Sequence, residues 1–338
     1  MSLVKKIFSY VIILTVLCFT TISVFASSVI CGGDSIGIAL NYDGVLITGT
    51  YDYSIDNQTF NPISQDIQAG DLITMINSNK IETILELASN IQTSIENSKD
   101  IVLTITRNNE TLEKKLNVHY DQATETFKTG LYVKDSTIGI GTMTYYDPQN
   151  HTFAALGHSL SDKDFDLQFA SGTIFESCVN DVVKNNGTKT GEKIAVIEDD
   201  KVLGEVVYNN EIGVYGYYYG DVKGIIMETG LIEEATLGKA YLLTVINGQD
   251  VEKVEIEITE LKPQEKSNQK GIGFTVIDQV FLEKTNGVIQ GMSGSPILQN
   301  DKIIGAVSHV NGKNPKNGYG VYIEWMLQIS NQMEGSRG

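Results

Sequence analysis

The chain has 338 residues, with 25 lysines and arginines against 42 aspartates and glutamates and a formal net charge of −17 at pH 7. That length leaves room for two domains after an N-terminal leader, and so acidic a surface argues against nucleic acid or anionic lipid as the main partner. Of the three cysteines, Cys18 lies in the leader, and Cys31 and Cys178 are too few and too far apart to make a disulfide framework.

Lys5 and Lys6 precede an uncharged run, Ile7 to Phe25, and Val24-Phe25-Ala26 offers small residues to a signal peptidase. Residues 1–26 therefore read as an export signal cleaved after Ala26. The run is also about long enough to span a bilayer, so an uncleaved membrane anchor is the alternative.

Ser35-Ile36-Gly37-Ile38-Ala39-Leu40 and Ala69-Gly70-Asp71-Leu72-Ile73-Thr74-Met75-Ile76-Asn77 follow. Together they resemble a PDZ domain, the first as carboxylate-binding loop and strand, the second as the strand before the groove helix. The resemblance implies a small α+β domain over residues 31–118 that takes an extended peptide as an added strand beside Ile36, Gly37, Ile38 and Leu40. The polar loop Asp52 to Gln68 reads as an insertion. Thr83 with Glu86 makes a capping box, and Ile84, Leu87, Ile91 and Ile95 continue at helical spacing. Ile101 to Thr106 and Leu112 to Val118 read as a hairpin about the turn Arg107–Glu110. Residues 119–135 are polar and predict a linker. Over 136–338 strands dominate, punctuated by Gly and Asn, which suggests a barrel or sandwich. A helical period returns only at Val321 to Met333.

Chemistry concentrates in a few places. In Gly291-Met292-Ser293-Gly294-Ser295-Pro296, glycines on both sides of a serine allow a tight turn whose N–H groups can face an oxyanion. Gly-x-Ser-Gly-x-Pro is also the arrangement around the nucleophile of trypsin-like peptidases. A serine nucleophile needs a base and a group to orient it. His158 ends the apolar run Ala154-Ala155-Leu156-Gly157, where it can project into a cleft; His119 and His151 lie in polar segments and are expected to be solvated. Asp278 closes the strand Thr275-Val276-Ile277, with Asp162, Asp164 and Asp166 as rivals near His158. Those three alternate as calcium ligands do, but lack the Gly and distal Glu of a calcium loop. No metal and no cofactor are expected.

Longer motifs carry a family resemblance. Gly139-Ile140-Gly141-Thr142-Met143-Thr144-Tyr145-Tyr146-Asp147-Pro148, Leu156-Gly157-His158, Glu283-Lys284-Thr285-Asn286-Gly287, Gly291 to Ile297, Ile303 to Val310 and Gly318 to Leu327 resemble the SpoIVB peptidases of endospore-forming bacteria. The resemblance implies a mainly β protein, an N-terminal PDZ domain followed by a trypsin-like double β-barrel. It implies a serine endopeptidase with Ser293, His158 and Asp278 as its triad, acting between the forespore and mother-cell membranes. Its substrate there would be a membrane-bound regulator of an intramembrane protease, leading to sigma factor activation, with self-cleavage as well. Two departures stand out: the aspartate lies unusually near the serine, and Cys31 stands where proline is expected.

On this reading the N–H groups of Gly291 and Ser293 hold the oxyanion, and by analogy with trypsin-like folds Ser308, His309 and Val310 form the strand that substrate pairs with. The partners are a protein substrate, a peptide ligand of the PDZ domain, and the membrane if the leader is retained. One alternative is an HtrA-like quality-control protease, in which the PDZ domain usually follows the protease domain. The other is a non-catalytic PDZ scaffold, which the intact Ser, His and Asp set argues against.

Overall fold

β-Branched residues alternating with polar ones, broken at turns by Gly and Asn, favour strand throughout. The computed structural model describes residues 27–160, 169–222 and 224–335 and is mainly β. β1 (Ser28–Cys31) turns into β2 (Ser35–Thr50), a 16-residue strand that serves two cores.

Next come β3 (Tyr53–Ile55), β4 (Gln58–Phe60), β5 (Leu72–Ile76), β6 (Asn79–Lys80), helix α1 (Ile84–Glu96), β7 (Ile101–Arg107), β8 (Glu110–Leu116), β9 (His119–Asp121) and β10 (Thr126–Lys128). The far end of β2 pairs with β5, β5 with β7, and β7 with β8. Between these strands and α1 a core forms from Val45, Ile73, Leu87, Ile91, Leu103 and Ile105. The capping box forms as its sequence predicts: Glu86 N donates to the Thr83 hydroxyl at 3.1 Å, and Thr83 N donates back to the Glu86 carboxylate at 3.1 Å. Such a cap contributes about 1 kcal/mol. Asp71, fully buried, is held by Arg107, whose Nε and Nη2 donate to its two oxygens at 2.6 and 2.7 Å.

β11 (Leu131–Asp147) then runs antiparallel along the whole of β2, from Leu131 opposite Thr50 to Thr142 opposite Ser35. The remaining elements are β12 (Thr152–Ala155), β13 (Phe169–Val183), β14 (Glu192–Asn210), β15 (Gly213–Tyr218), β16 (Ile226–Thr229), β17 (Gly238–Val245), β18 (Val251–Leu261), β19 (Ile272–Val276), α2 (Gln279–Thr285), β20 (Pro296–Gln299), β21 (Lys302–Val310), β22 (Asn317–Tyr322) and α3 (Ile323–Gly335). Their pairings close on themselves twice. β2, β11, β12, β15, β14 and β13 lead in turn back to β2. β17, β18, β19, β22, β21 and β20 lead back to β17. Ile38, Leu40, Phe153 and Ile174 are buried together in the first ring; Leu242, Ile256, Phe274 and Ile297 are buried together in the second. β1, β16 and α3 join the two through a third cluster that includes Val29, Tyr145, Tyr215, Ile303, Ile323 and Met326.

Several expectations change. Residues 119–135 are not a linker: β9 and β10 form a hairpin, and the chain then enters β11. Residues 31–118 are not a separate unit either, because β1 and the first half of β2 belong with the first ring, while the small core extends to Leu131 and Val133. Ile36, Gly37, Ile38 and Leu40 do not line a peptide groove. They lie on a strand paired on one side with β11 and on the other with β13, and Ile36, Ile38 and Leu40 are buried. Apolar alternation with one glycine reads alike for a sheet edge and a barrel stave, so sequence could not separate them. The C-terminal helix begins at Ile323, since Val321 and Tyr322 complete β22. The leader, residues 1–26, lies outside the described residues; among the described residues no helix is long and apolar enough to cross a membrane.

Candidate active site

The two rings each contribute one half of the site. In the first, β12 ends at Ala155, and Leu156 takes a left-handed backbone with φ 59°. Gly157 then passes so close to β21 that a Cβ there would stand 2.6 Å from Val307 O and 2.9 Å from Ser308 Cα, so only glycine fits. This approach delivers His158 to the second ring, where its Nε2 lies 2.8 Å from Ser293 Oγ. His158 Nδ1 is 2.7 Å from Ser159 O. A carbonyl only accepts, so in the neutral ring Nδ1 carries the proton and Nε2 is left as acceptor for the serine hydroxyl. Burial pushes the His158 pKa below its ordinary 6.5, and the Ser159 carbonyl partly offsets that. The ring is therefore neutral near pH 7, as a general base must be.

Ser293 sits in the turn before β20. Gly291 and Gly294 have φ of 91° and 93°, and a Cβ on Gly294 would press into Thr142 O. The turn is braced from both sides. Thr142 Oγ1 donates to Gly291 O at 2.7 Å, Thr142 N to Ser293 O at 2.9 Å, and Thr144 Oγ1 to Gly294 O at 2.8 Å. From β21, Val307 O accepts from Gly294 N at 2.8 Å and Val307 N donates to Ser295 O at 2.9 Å. Among the described residues no acceptor meets Gly291 N–H or Ser293 N–H. Two unused donors flanking a serine are what an oxyanion needs.

Asp278 is not brought to His158. It is the N-cap of α2: its Oδ1 accepts from Phe281 N at 3.0 Å, and its Oδ2 from Glu255 N at 3.4 Å. The position beside Nδ1 is taken by the Ser159 carbonyl. The rivals Asp162, Asp164 and Asp166 lie outside the described residues. Ser308 lines the nucleophile with its carbonyl, 3.3 Å from Ser293 Oγ, while its hydroxyl turns away to Tyr319 O and Gln269 O. The pairing of β21 with β22 shifts register between Val307 and His309, so Ser308 sits at a bulge. The His309 ring lies 5.3 Å from that of His158 and is pushed down to about 4, chiefly by burial and then by His158 and Lys270. It too is neutral. Val310 is half-buried at the end of β21.

His119 is not solvated as expected: it stacks on Phe60 and its Nδ1 lies 2.8 Å from the Tyr53 hydroxyl. Cys31 and Cys178 are free thiols, and burial pushes Cys31 up to about 12, which leaves it no thiolate character. No cluster of three metal-ligating side chains occurs among the described residues. Sequence reasoning missed Thr142, Thr144 and Lys193, a buried lysine behind Gly291. The alternation Gly141-Thr142-Met143-Thr144 is the available sign, two hydroxyls on one face of the otherwise apolar stretch Ile138 to Tyr145.

A family model described as SpoIVB peptidase S55 matches residues 125–327, more than half of the chain. Among solved structures the chain is similar to the active form of the Rv3671c protease from M. tuberculosis, at 13% identity over 57% of this chain and 72% of that one, with a TM-score of 0.33. It is similar to the inactive form of the same protease at 14% identity, over 57% and 83% of the two chains, with a TM-score of 0.34. No curated protein sequence matches it.

Proposed function

Since the chain belongs to the SpoIVB S55 family of serine peptidases, we propose that it is an exported endopeptidase in which Ser293 attacks the peptide carbonyl and His158 takes its proton. The observation that carries this is the 2.8 Å approach of His158 Nε2 to Ser293 Oγ, beside two unused N–H donors. As Oγ bonds to the carbonyl carbon, its proton moves to Nε2, and Ser159 O holds the Nδ1–H of the resulting imidazolium. The new oxyanion falls to Gly291 N–H and Ser293 N–H, each worth about 3 kcal/mol. The imidazolium returns its proton to the leaving amine, and water repeats the cycle on the acyl-enzyme. Ser308 to Val310, beside the nucleophile, is the segment along which substrate would lie.

The two closed six-strand rings, with His158 from one and Ser293 from the other, support a trypsin-like double barrel. The small core with α1 supports a PDZ-like module set within the chain between the two halves of β2 and β11. Its peptide edge moves to Leu131–Asp135. There β11 pairs with β2 on one side only among the described residues, and α1 approaches the other, with Ile84 N donating to Asp135 at 2.9 Å. We further infer that the substrate is a membrane-bound regulator of an intramembrane protease, in the space between forespore and mother-cell membranes. Self-cleavage offers the test. Incubated purified chain should yield new N-termini that the Ser293→Ala variant does not; the same products from that variant would overturn the assignment.

A further inference from the structure

Lys193 is buried, 5% exposed, on β14 opposite Val182 of β13. Its N–H donates to Gln290 O at 3.0 Å, and its stem lies along the nucleophile turn: a Cβ on Gly291 would stand 2.9 Å from Lys193 Cδ. Nζ ends between two hydroxyls, Thr142 Oγ1 at 3.2 Å and Thr244 Oγ1 at 3.1 Å. Among the described residues it has no carboxylate partner. Of the charged groups on the surrounding elements, Glu192 and Asp181 are exposed, Glu252 on β18 pairs with Lys284 of α2 at 3.4 Å, Glu283 is exposed, and His158 lies beyond Ser293.

Burying an ammonium without a counter-charge is costly, and an apolar side chain of similar length would fill the space without that cost. What the ammonium gains is control of Thr142. By donating into the Thr142 oxygen, Nζ leaves that hydroxyl's proton for Gly291 O, so the chain Nζ–H to Oγ1–H to O=C has one direction. Gly291 is also the residue whose own N–H faces the oxyanion position.

We propose that Lys193 is a positioning residue for peptide hydrolysis: acting through Thr142, its ammonium holds the Gly291–Ser293 turn in the geometry that receives the oxyanion and sets a buried positive charge behind it. This rests on Ser293 being the nucleophile. Burial brings the Lys193 pKa down to about 7, so the charge is lost as pH rises through that value. His158, by contrast, becomes an effective base as pH rises through its own lowered pKa. Activity is then bell-shaped, with Lys193 on the alkaline side.

The test needs no natural substrate. The rate at which a fluorophosphonate labels the full chain reports the same attack into the same oxyanion site, and is followed from about pH 5 to about pH 10. Wild type should lose rate above about pH 7. Lys193→Met, folded by circular dichroism, should label about 100-fold more slowly near pH 6.5 and show no alkaline limb. Thr244→Val removes one acceptor of the charged form and should move the limb to lower pH. A folded Lys193→Met variant with wild-type rate and limb would overturn the proposal. Should that variant not fold, an unmoved limb in Thr244→Val overturns it instead. Labelling of Ser293→Ala at the wild-type rate would be a different failure, that of the nucleophile itself.

Discussion

Replacing Asp278 by asparagine separates two roles that differ by orders of magnitude. If the carboxylate only caps α2, asparagine keeps the acceptor for Phe281 N, now at 3.0 Å, and loses only the long 3.4 Å contact from Glu255 N. Asparagine and aspartate cap helices about equally well, so Asp278→Asn should cost a few tenths of a kcal/mol and Asp278→Ala about 1 kcal/mol. In a chain of this size 1 kcal/mol lowers Tm by roughly 1–2 °C. A triad aspartate behaves otherwise: the asparagine variant favours the wrong imidazole tautomer and loses about 10⁴ in kcat. Here the Ser159 carbonyl already fixes that tautomer. The assay is kcat/KM on a cleavable peptide beside a thermal melt. Rates within about threefold of wild type for Asp278→Asn are expected from an intact cap. A loss of about 10³ or more with Tm unchanged would refute the reasoning and restore Asp278 to the triad.

Other outcomes follow from the same geometry. Burial lowers the His158 pKa and only the neutral ring accepts a proton, so the acid limb of the labelling rate should have its midpoint below 6.5; a midpoint above that value contradicts the burial argument. The folded state also binds this proton less readily than the unfolded chain does, so the His158 contribution to stability is lost as pH falls below 6.5. Arg107→Leu leaves the fully buried Asp71 carboxylate unpaired and should destabilise the small core by about 3–5 kcal/mol in urea, where a cost under about 1 kcal/mol would mean the pair is dispensable. Gly294→Ala forces a Cβ into Thr142 O at φ 93° and should slow labelling at least about 100-fold, since the donors must shift; an unaffected rate would show that the turn tolerates displacement.

What the sequence made legible follows from how local each signal is. The α1 cap, the Ile101–Leu116 hairpin and the turn about Ser293 are written in a few adjacent residues, and each appears where those residues put it. His158 was marked by Gly157, and the reason is now physical: no side chain fits against Val307 and Ser308. Asp278 closes an apolar strand, a place that suits an orienting carboxylate and a satisfied turn residue alike. The structure makes it the second, an N-cap three residues before Phe281, a signal that is equally local. The pairing of Ser35–Leu40 with strands about 100 and 140 residues away is not local at all, and nothing within that strand distinguishes an edge from a closed ring. Lys193 was hidden for the same reason. A lysine in a polar-looking stretch reads as surface, and only the approach of β11, β17 and the nucleophile turn buries it.

The central claim is that His158 activates Ser293 in a turn that binds the oxyanion. Intact-mass and peptide-mapping spectrometry after fluorophosphonate treatment tests it most directly. A single adduct on the peptide carrying Ser293, absent in Ser293→Ala and slowed by at least about 10³ in His158→Gln, is the predicted result. An adduct on another residue, or one on Ser293 that forms as fast without His158, would contradict it.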